Sequence, residues 1–275
     1  MSEAGQDAEH VVVRDSSASG KQPGPGAVRT LAGRLADNWR ALLVRPVLIV
    51  LLLVGLLLVV RSRPLDSIEA RNLDPSVILA ELGQHLTLSF IATVLTVVIA
   101  IPLGILLTRP GLGWLRPIGL GLGNVGQAIP SIGLVVLLAL WIGVGFWTAV
   151  IALVSYAALS VLRNTIVGLE GVDRSLIEAA RGMGMSGRGV LLRVELPLSV
   201  PVILAGVRTA LVLTVASAVL GTFIDAGGLG DGLVVGLTLN RPLLSITYGV
   251  IVAALALLVD WLGLVIEEVL RPRGI

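Results

Sequence analysis

The sequence has no cysteine, so neither a disulfide framework nor a thiolate metal centre is available to it. Histidine is nearly as scarce. His10 and His85 stand far apart, which sets aside a histidine-based metal site and leaves no metal ligands to name. Charged residues are only 14% of the chain, against roughly a quarter in a soluble domain of this size. The formal net charge of +2, with arginines scattered rather than striped, gives no footing for nucleic acid. Aromatic residues are 4%, and Phe90, Tyr156, Phe223 and Tyr248 form no evident cage for a quaternary ammonium.

What is present is apolar. Hydrophobic residues make up 55% of the 275, and mean hydropathy is +0.96. The charge that exists is segregated, leaving stretches of about twenty residues with almost none, as in bilayer-spanning helices. The expected fold class is therefore an all-α integral membrane protein. Six spans are predicted, at 42–60, 86–107, 118–143, 146–162, 200–223 and 246–268. The third and fourth form a hairpin turned at Gly143-Val144-Gly145, with Trp141, Phe146 and Trp147 at the depth of an interfacial aromatic belt. The fourth is short for a hydrocarbon core of roughly 30 Å, so it lies steeply or continues through Arg163.

Residues 1–40 contain "RDSSASGKQPGPG" and no apolar period, and they read as a disordered cytoplasmic tail. A secretory signal is the rival reading for the apolar run at 42–60. Its basic leader would have to run to the start of that span, and "VVRSRPLDS" offers no small-x-small cleavage site.

Orientation follows from the basic residues. With the N-terminus inside, the inner segments hold Arg14, Lys21, Arg29, Arg34, Arg40 and Arg45, then Arg109 and Arg116, then Arg163, Arg174, Arg181, Arg188 and Arg193, and finally Arg271 and Arg273. The outer segments hold only Arg61, Arg63, Arg71 and Arg241. The positive-inside bias predicts both termini, and the 163–199 connection, in the cytoplasm.

That connection contains "EAARGMGMSGRGVLLRVELP", residues 178–197, too polar and too long for a plain linker. Gly182 to Gly187 has the spacing of a phosphate-binding loop, but Arg188 and Gly189 replace its Lys and Ser/Thr, and no strand precedes it. "GLGNVG" at 121–126 matches a dinucleotide fingerprint inside an apolar span, where its glycines serve close helix packing instead. An intramembrane protease needs a nucleophile with a base, and Ser131 and Ser217 have no histidine within a span that could serve them.

Local physics describes a docking element. Ser175 and Glu178 are spaced as a capping box, predicting a helix from about Leu176. Ala179 and Ala180 give that helix a smooth side, and Gly182 and Gly184 stop it. Ser186 is placed to cap a second short helix through about Val194, with Pro197 closing the excursion.

Glu178-Ala179-Ala180, then Gly184 after three residues, then Val194 after nine, then Leu196-Pro197, resembles the EAA loop of bacterial ABC-importer permeases. The family pattern usually has Ile where this chain has Val194. The resemblance covers roughly 80–270, a five-span permease core with the EAA loop at 173–197. The tail 1–40 and a span at 41–61 are additional to it. "QAIPSIGLVVLLALWIGVG", "RNTIVGLEGV" and "GTFIDAGGLGDGLVVGL" look like permeases for glycine betaine, choline, carnitine or proline betaine. Methionine-type and other amino-acid permeases share the architecture and are the nearest competitor.

The resemblance implies that the loop couples to a separate ABC ATPase, so ATP is used by that partner and no cofactor is bound here. It implies further partners: an extracytoplasmic substrate-binding protein and a second permease, identical or homologous. The setting it implies is the lipid of the bacterial inner membrane, and the chain itself is not an enzyme. A channel or secondary transporter is the reading from another class. Against it, intramembrane acids fit for ion coupling are nearly absent, with Asp260 the one candidate.

Two further groups are singled out. Asn124, Gln127, Pro130 and Ser131 lie near the middle of 118–143, where polar or irregular backbone is tolerated if it is buried in protein or lines a cavity. A Pro130 kink satisfied by neighbouring helices is the competing account. Arg208 and Asp260 are the charged residues well inside predicted spans, each roughly 12 Å deep in the same leaflet, and are expected to pair.

Overall fold

The computed structural model describes residues 39–270, so the predicted tail lies almost wholly outside the described residues. Those described are helical, with no strand among them, and five helices are long and apolar enough to cross a membrane. The first, α1 (Trp39–Arg61), is followed by a short α2 (Ser67–Asn72) and the long α3 (Pro75–Leu107). Both α2 and α3 start on aspartates. Asp66 makes a complete capping box with Glu69, and Asp74 accepts from the Ser76 amide with Pro75 at the first helical position.

The third predicted span is corrected. Residues 118–143 are not one helix but two, α4 (Arg116–Ala128) and α5 (Ser131–Ile142), bent by 100° at the break. Pro130 has no N–H to give, and the residue before a proline is pushed out of the helical region. Ile129 is accordingly extended at φ −70°, ψ 130°. The fourth span, α6 (Phe146–Glu170), passes through Arg163 and runs well beyond 162. The turn before it needs glycine: Gly143 and Gly145 have φ of 99° and 126°.

Helix α6 is the centre of the bundle and packs on α3, α4, α5 and the fifth span. Small residues allow the approach. A Cβ at Gly104 would stand 2.7 Å from Thr165, one at Gly123 2.8 Å from Leu159, and one at Gly206 2.5 Å from Asn164. Of the "GLGNVG" glycines, Gly123 and Gly126 do the packing work read from the sequence, and Gly121 faces open space.

After α6 come α7 (Arg174–Gly182) and α8 (Gly187–Val190). A π turn, Leu191–Glu195, then leads without interruption into α9 (Leu196–Ser217). Pro197 was expected to end the loop. It does not, because the helix widens just before it: the Leu196 amide reaches back five residues to the Leu191 carbonyl, which accommodates a proline lacking its own donor. From Gly187 to Ser217 the helix is roughly 46 Å long at 1.5 Å per residue, well beyond a core of roughly 30 Å.

A 3₁₀ stretch (Ala218–Ile224), a short α10 (Gly230–Thr238) and α11 (Pro242–Leu270) complete the fold. Helix α10 went unread in the sequence. At the end opposite α7 and α8 it is stapled down: the Gln84 side chain accepts from the Gly228 amide at 3.0 Å, Tyr248 donates to the Asn72 carbonyl at 2.9 Å, and Arg241 pairs with Asp66 at 2.7 Å. Deeper in, His85 Nε2–H donates to the Val215 carbonyl at 2.9 Å, and Thr93 and Thr214 join hydroxyls at 2.8 Å across α3 and α9.

Candidate functional site

The loop between α6 and α9 is built by its caps. The start of α7 differs from the reading of Ser175 and Glu178 as a capping box. Asp173 is the N-cap, its Oδ1 accepting from the Ser175 amide at 2.9 Å. A carboxylate two residues before Ser175 is the stronger acceptor for the free amides, and Glu178 is left exposed. That amide, with the Ser175 hydroxyl, holds the Asp173 carboxyl below its ordinary value.

The end of α7 is a complete left-handed cap. Gly184 has φ +84°, its amide bonds Arg181 O at 2.9 Å, and the Met185 amide bonds Ala180 O at 3.1 Å. Ser186 then caps α8, its hydroxyl accepting from the Gly189 amide at 3.2 Å.

The two alanines divide. Ala179 is exposed, but Ala180 is 2% exposed, buried where α7 packs on α8 and the π turn. The expectation that both line an outer docking surface is corrected for Ala180, whose small size serves the loop's own packing. The outer surface carries residues the sequence reading did not single out: Leu176 is 48% exposed and Met183 74%. Large apolar side chains on a polar loop are the available signal for a contact surface. Val194 and Leu196 are half-buried in the π turn and the start of α9, and Pro197 is exposed.

Beneath α7 lies an open cleft of about 630 Å³ whose lining includes Arg109, Glu170, Arg174, Glu178, Arg181 and Glu195. Its charges pair across elements. Arg109 Nη2 meets Glu195 Oε2 at 2.6 Å, and Arg116 Nη1 donates to Glu170 Oε1.

The four residues near the break of α4 and α5 lie together but are differently held. Asn124 accepts from Arg163 Nη2 at 2.6 Å, and Gln127 donates to the Tyr156 carbonyl at 3.1 Å, both tying α4 to α6. Pro130 is the exposed N-cap of α5, and Ser131 begins that helix, lining a crevice with Tyr156, Ser217 and Leu220.

Arg208 and Asp260 are in contact, Nε to Oδ1 at 3.0 Å. Two more residues join them. Asp260 Oδ2 meets Arg45 at 3.2 Å, and Arg208 Nη1 meets Glu267 at 3.0 Å, so the cluster spans α1, α9 and α11. No group of three or more His, Cys, Asp or Glu among the described residues is arranged to hold a metal ion.

Residues 100–272 match the family described as the binding-protein-dependent transport system inner membrane component. The chain is 38% identical over 198 residues to the glycine betaine/carnitine/choline transport system permease protein OpuCB of Bacillus subtilis, covering 72% of this chain and 90% of that one. It is 40% identical over 193 residues to the choline transport system permease protein OpuBB of the same organism, covering 70% and 87%. It is 41% identical over 198 residues to the carnitine transport permease protein OpuCB of Listeria monocytogenes, covering 72% and 90%. Among solved structures, the inward-facing MetNI methionine ABC transporter superposes with a TM-score of 0.62 at 24% identity, over 71% of this chain and 96% of that one.

Proposed function

Because the chain belongs to the binding-protein-dependent transport inner membrane components and is the permease subunit of an ABC importer, we propose that it carries osmoprotectants of the glycine betaine, choline and carnitine class. The substrate class is supported by relatives at 38–41% identity whose names specify those compounds. The methionine transporter's likeness, at 24% identity, speaks to the fold alone.

The observation that carries the coupling role is the capped, glycine-stopped loop of α7 and α8, with Leu176 and Met183 exposed on its surface. An ABC ATPase in the cytoplasm docks there, a binding protein delivers substrate on the other face, and two permease chains enclose the path. The clustering of Arg109, Arg116, Arg174, Arg181, Arg188 and Arg193 at the loop end supports a cytoplasmic placement for that end, and so for both termini. Transport then requires two states of unequal affinity for ATP-bound ATPase and loaded binding protein, since only differential binding moves an equilibrium.

The test is uptake into proteoliposomes holding the permease and ATPase, supplied with the binding protein and labelled betaine, choline, carnitine or methionine. ATP-dependent uptake of the quaternary ammonium compounds, not displaced by methionine, is the expected result. Preference for methionine overturns the substrate class.

A further inference from the structure

The coupling loop is held at both ends by the connection between α3 and α4. It leaves α6 after Glu170 and enters α9 through Glu195, and each of these acids meets an arginine from residues 108–116. The two contacts are unequal. Arg116 and Glu170 are well exposed, and exposed pairs contribute little. Glu195 is 8% exposed and Arg109 27%, so the acid, if it loses its arginine, is not readily hydrated in exchange. Arg109 is aimed before it reaches the acid: its Nε donates to the Ile105 carbonyl at 3.3 Å and its Nη2 to Thr108 Oγ1 at 3.0 Å.

The far side of that connection leads to the break. Arg116 opens α4, which carries Asn124 and Gln127 to the 100° bend before Ser131. A Cβ at Gly119 would stand 2.8 Å from Leu107, so the start of α4 is seated directly on the end of α3. A shift of Glu195 therefore meets a continuous series of close contacts: Arg109, the end of α3, the start of α4, and the bent segment.

We propose that Arg109 and Glu195 are positioning residues for transport, forming the strut that carries movement of the docked loop to the α4–α5 segment. The inference rests on the coupling role proposed above for residues 173–197. The Glu195 carboxylate lies on the cleft beneath α7, which neither Leu176 nor Met183 lines, so the pair acts after docking. Its two members stay together because separating them leaves the buried Glu195 carboxylate without its partner. The coupling loop and the α3–α4 connection consequently move as one body.

The experiment uses the permease with its ATPase in proteoliposomes, reading uptake and ATP hydrolysis together. Arg109→Met keeps the aliphatic stem, and Glu195→Gln keeps the volume and an acceptor. Both variants are expected in the membrane with the ATPase captured at wild-type stoichiometry. Substrate moved per ATP falls about tenfold in Arg109→Met, within the range of coupling free energies, and by less in Glu195→Gln. The exchange of Arg109→Glu with Glu195→Arg restores most of it, which a residue needed only for packing would not do. Unchanged uptake per ATP in both single variants overturns the strut. So does loss of both from the membrane, which makes the pair a folding element, and so does an exchange that restores protein level without coupling. A wild-type permease that captures no ATPase overturns the docking reading beneath it, and the strut with it.

Discussion

Asp260 on α11 is shared by two arginines from different helices: Arg208 of α9 reaches one carboxylate oxygen at 3.0 Å, and Arg45 of α1 the other at 3.2 Å. The single acid thus ties α1 to α9 and α11. Arg208 stands well inside its span, where an unpaired charge is costly, about 2.5–3.5 kcal/mol on insertion scales.

This sharing predicts where each loss is felt. Asp260→Leu strips Arg45 of its partner while Arg208 keeps Glu267, and Arg208→Leu strands Glu267 while the Arg45–Asp260 pair stays in place. Each is expected to cost about 1–3 kcal/mol, less than the roughly 3–5 of a fully buried pair, because one partner remains at the centre of the cluster. Hydrogen exchange in lipid nanodiscs separates the two: α1 amides are expected to exchange faster in Asp260→Leu and as in the wild type in Arg208→Leu. Equal α1 exchange in the two variants would refute the shared arrangement.

At the loop, Gly184→Asp places a side chain at φ +84° and adds a negative charge beside the cap. Met183→Asp removes the most exposed apolar side chain of the surface formed with Leu176. Both are expected to abolish ATPase capture and uptake while the permease remains in the membrane. Ala180→Trp is expected to do so from inside, by forcing α7 off the π turn. An active Ala180→Trp variant with an intact, stoichiometric ATPase complex would rule this out.

For the path, the absence of native cysteine gives a clean background. Gln127→Cys is expected to react with a water-soluble thiol reagent in one nucleotide state and to be protected in the other. The side chain is half-buried and its amide is already bonded to the Tyr156 carbonyl, which is the competing, purely structural account. A thiol inaccessible in every nucleotide state decides for that account.

Acid should loosen the start of α7. The amide and hydroxyl of Ser175 favour the charged form of Asp173, so its folded pKa lies below the ordinary 3.8. Its contribution is then fully present above that ordinary value and is lost as pH falls through the folded one. Hydrogen exchange of the α7 amides, corrected for intrinsic rates, is expected to quicken on acidification in the wild type. In Asp173→Asn, which caps without a charge, it is expected to change less. Identical acid profiles would contradict the cap's role.

How much of this was legible depended on length and on period. Long spans such as α3 and α11 announce themselves by uninterrupted apolar composition. The bend at Ile129-Pro130 was not legible, because two half-helices and one span have the same composition, although Pro130 marked the place. Helix α10 escaped notice because its nine residues are too few to show a period among glycines. The capping box misled because Ser175 and Glu178 have its spacing, while Asp173, two residues earlier, is the better acceptor. The burial of Ala180 could not be read from two adjacent alanines on a short helix. The contact of Arg208 and Asp260 could be anticipated from equal depth on consecutive antiparallel spans. Arg45 and Glu267 could not, since both sit near span ends where a charge is unremarkable.

The coupling loop is attached differently on its two sides. Toward α6 it is joined by Gly171-Val172-Asp173, none of them helical; toward α9 it is one unbroken helix, with a single widened turn at Leu191–Glu195. A push received at its outer surface meets a hinge on the first side and a stiff shaft on the second. If the loop docks as proposed, a push on it enters the bundle through α9 rather than through α6, its buried centre.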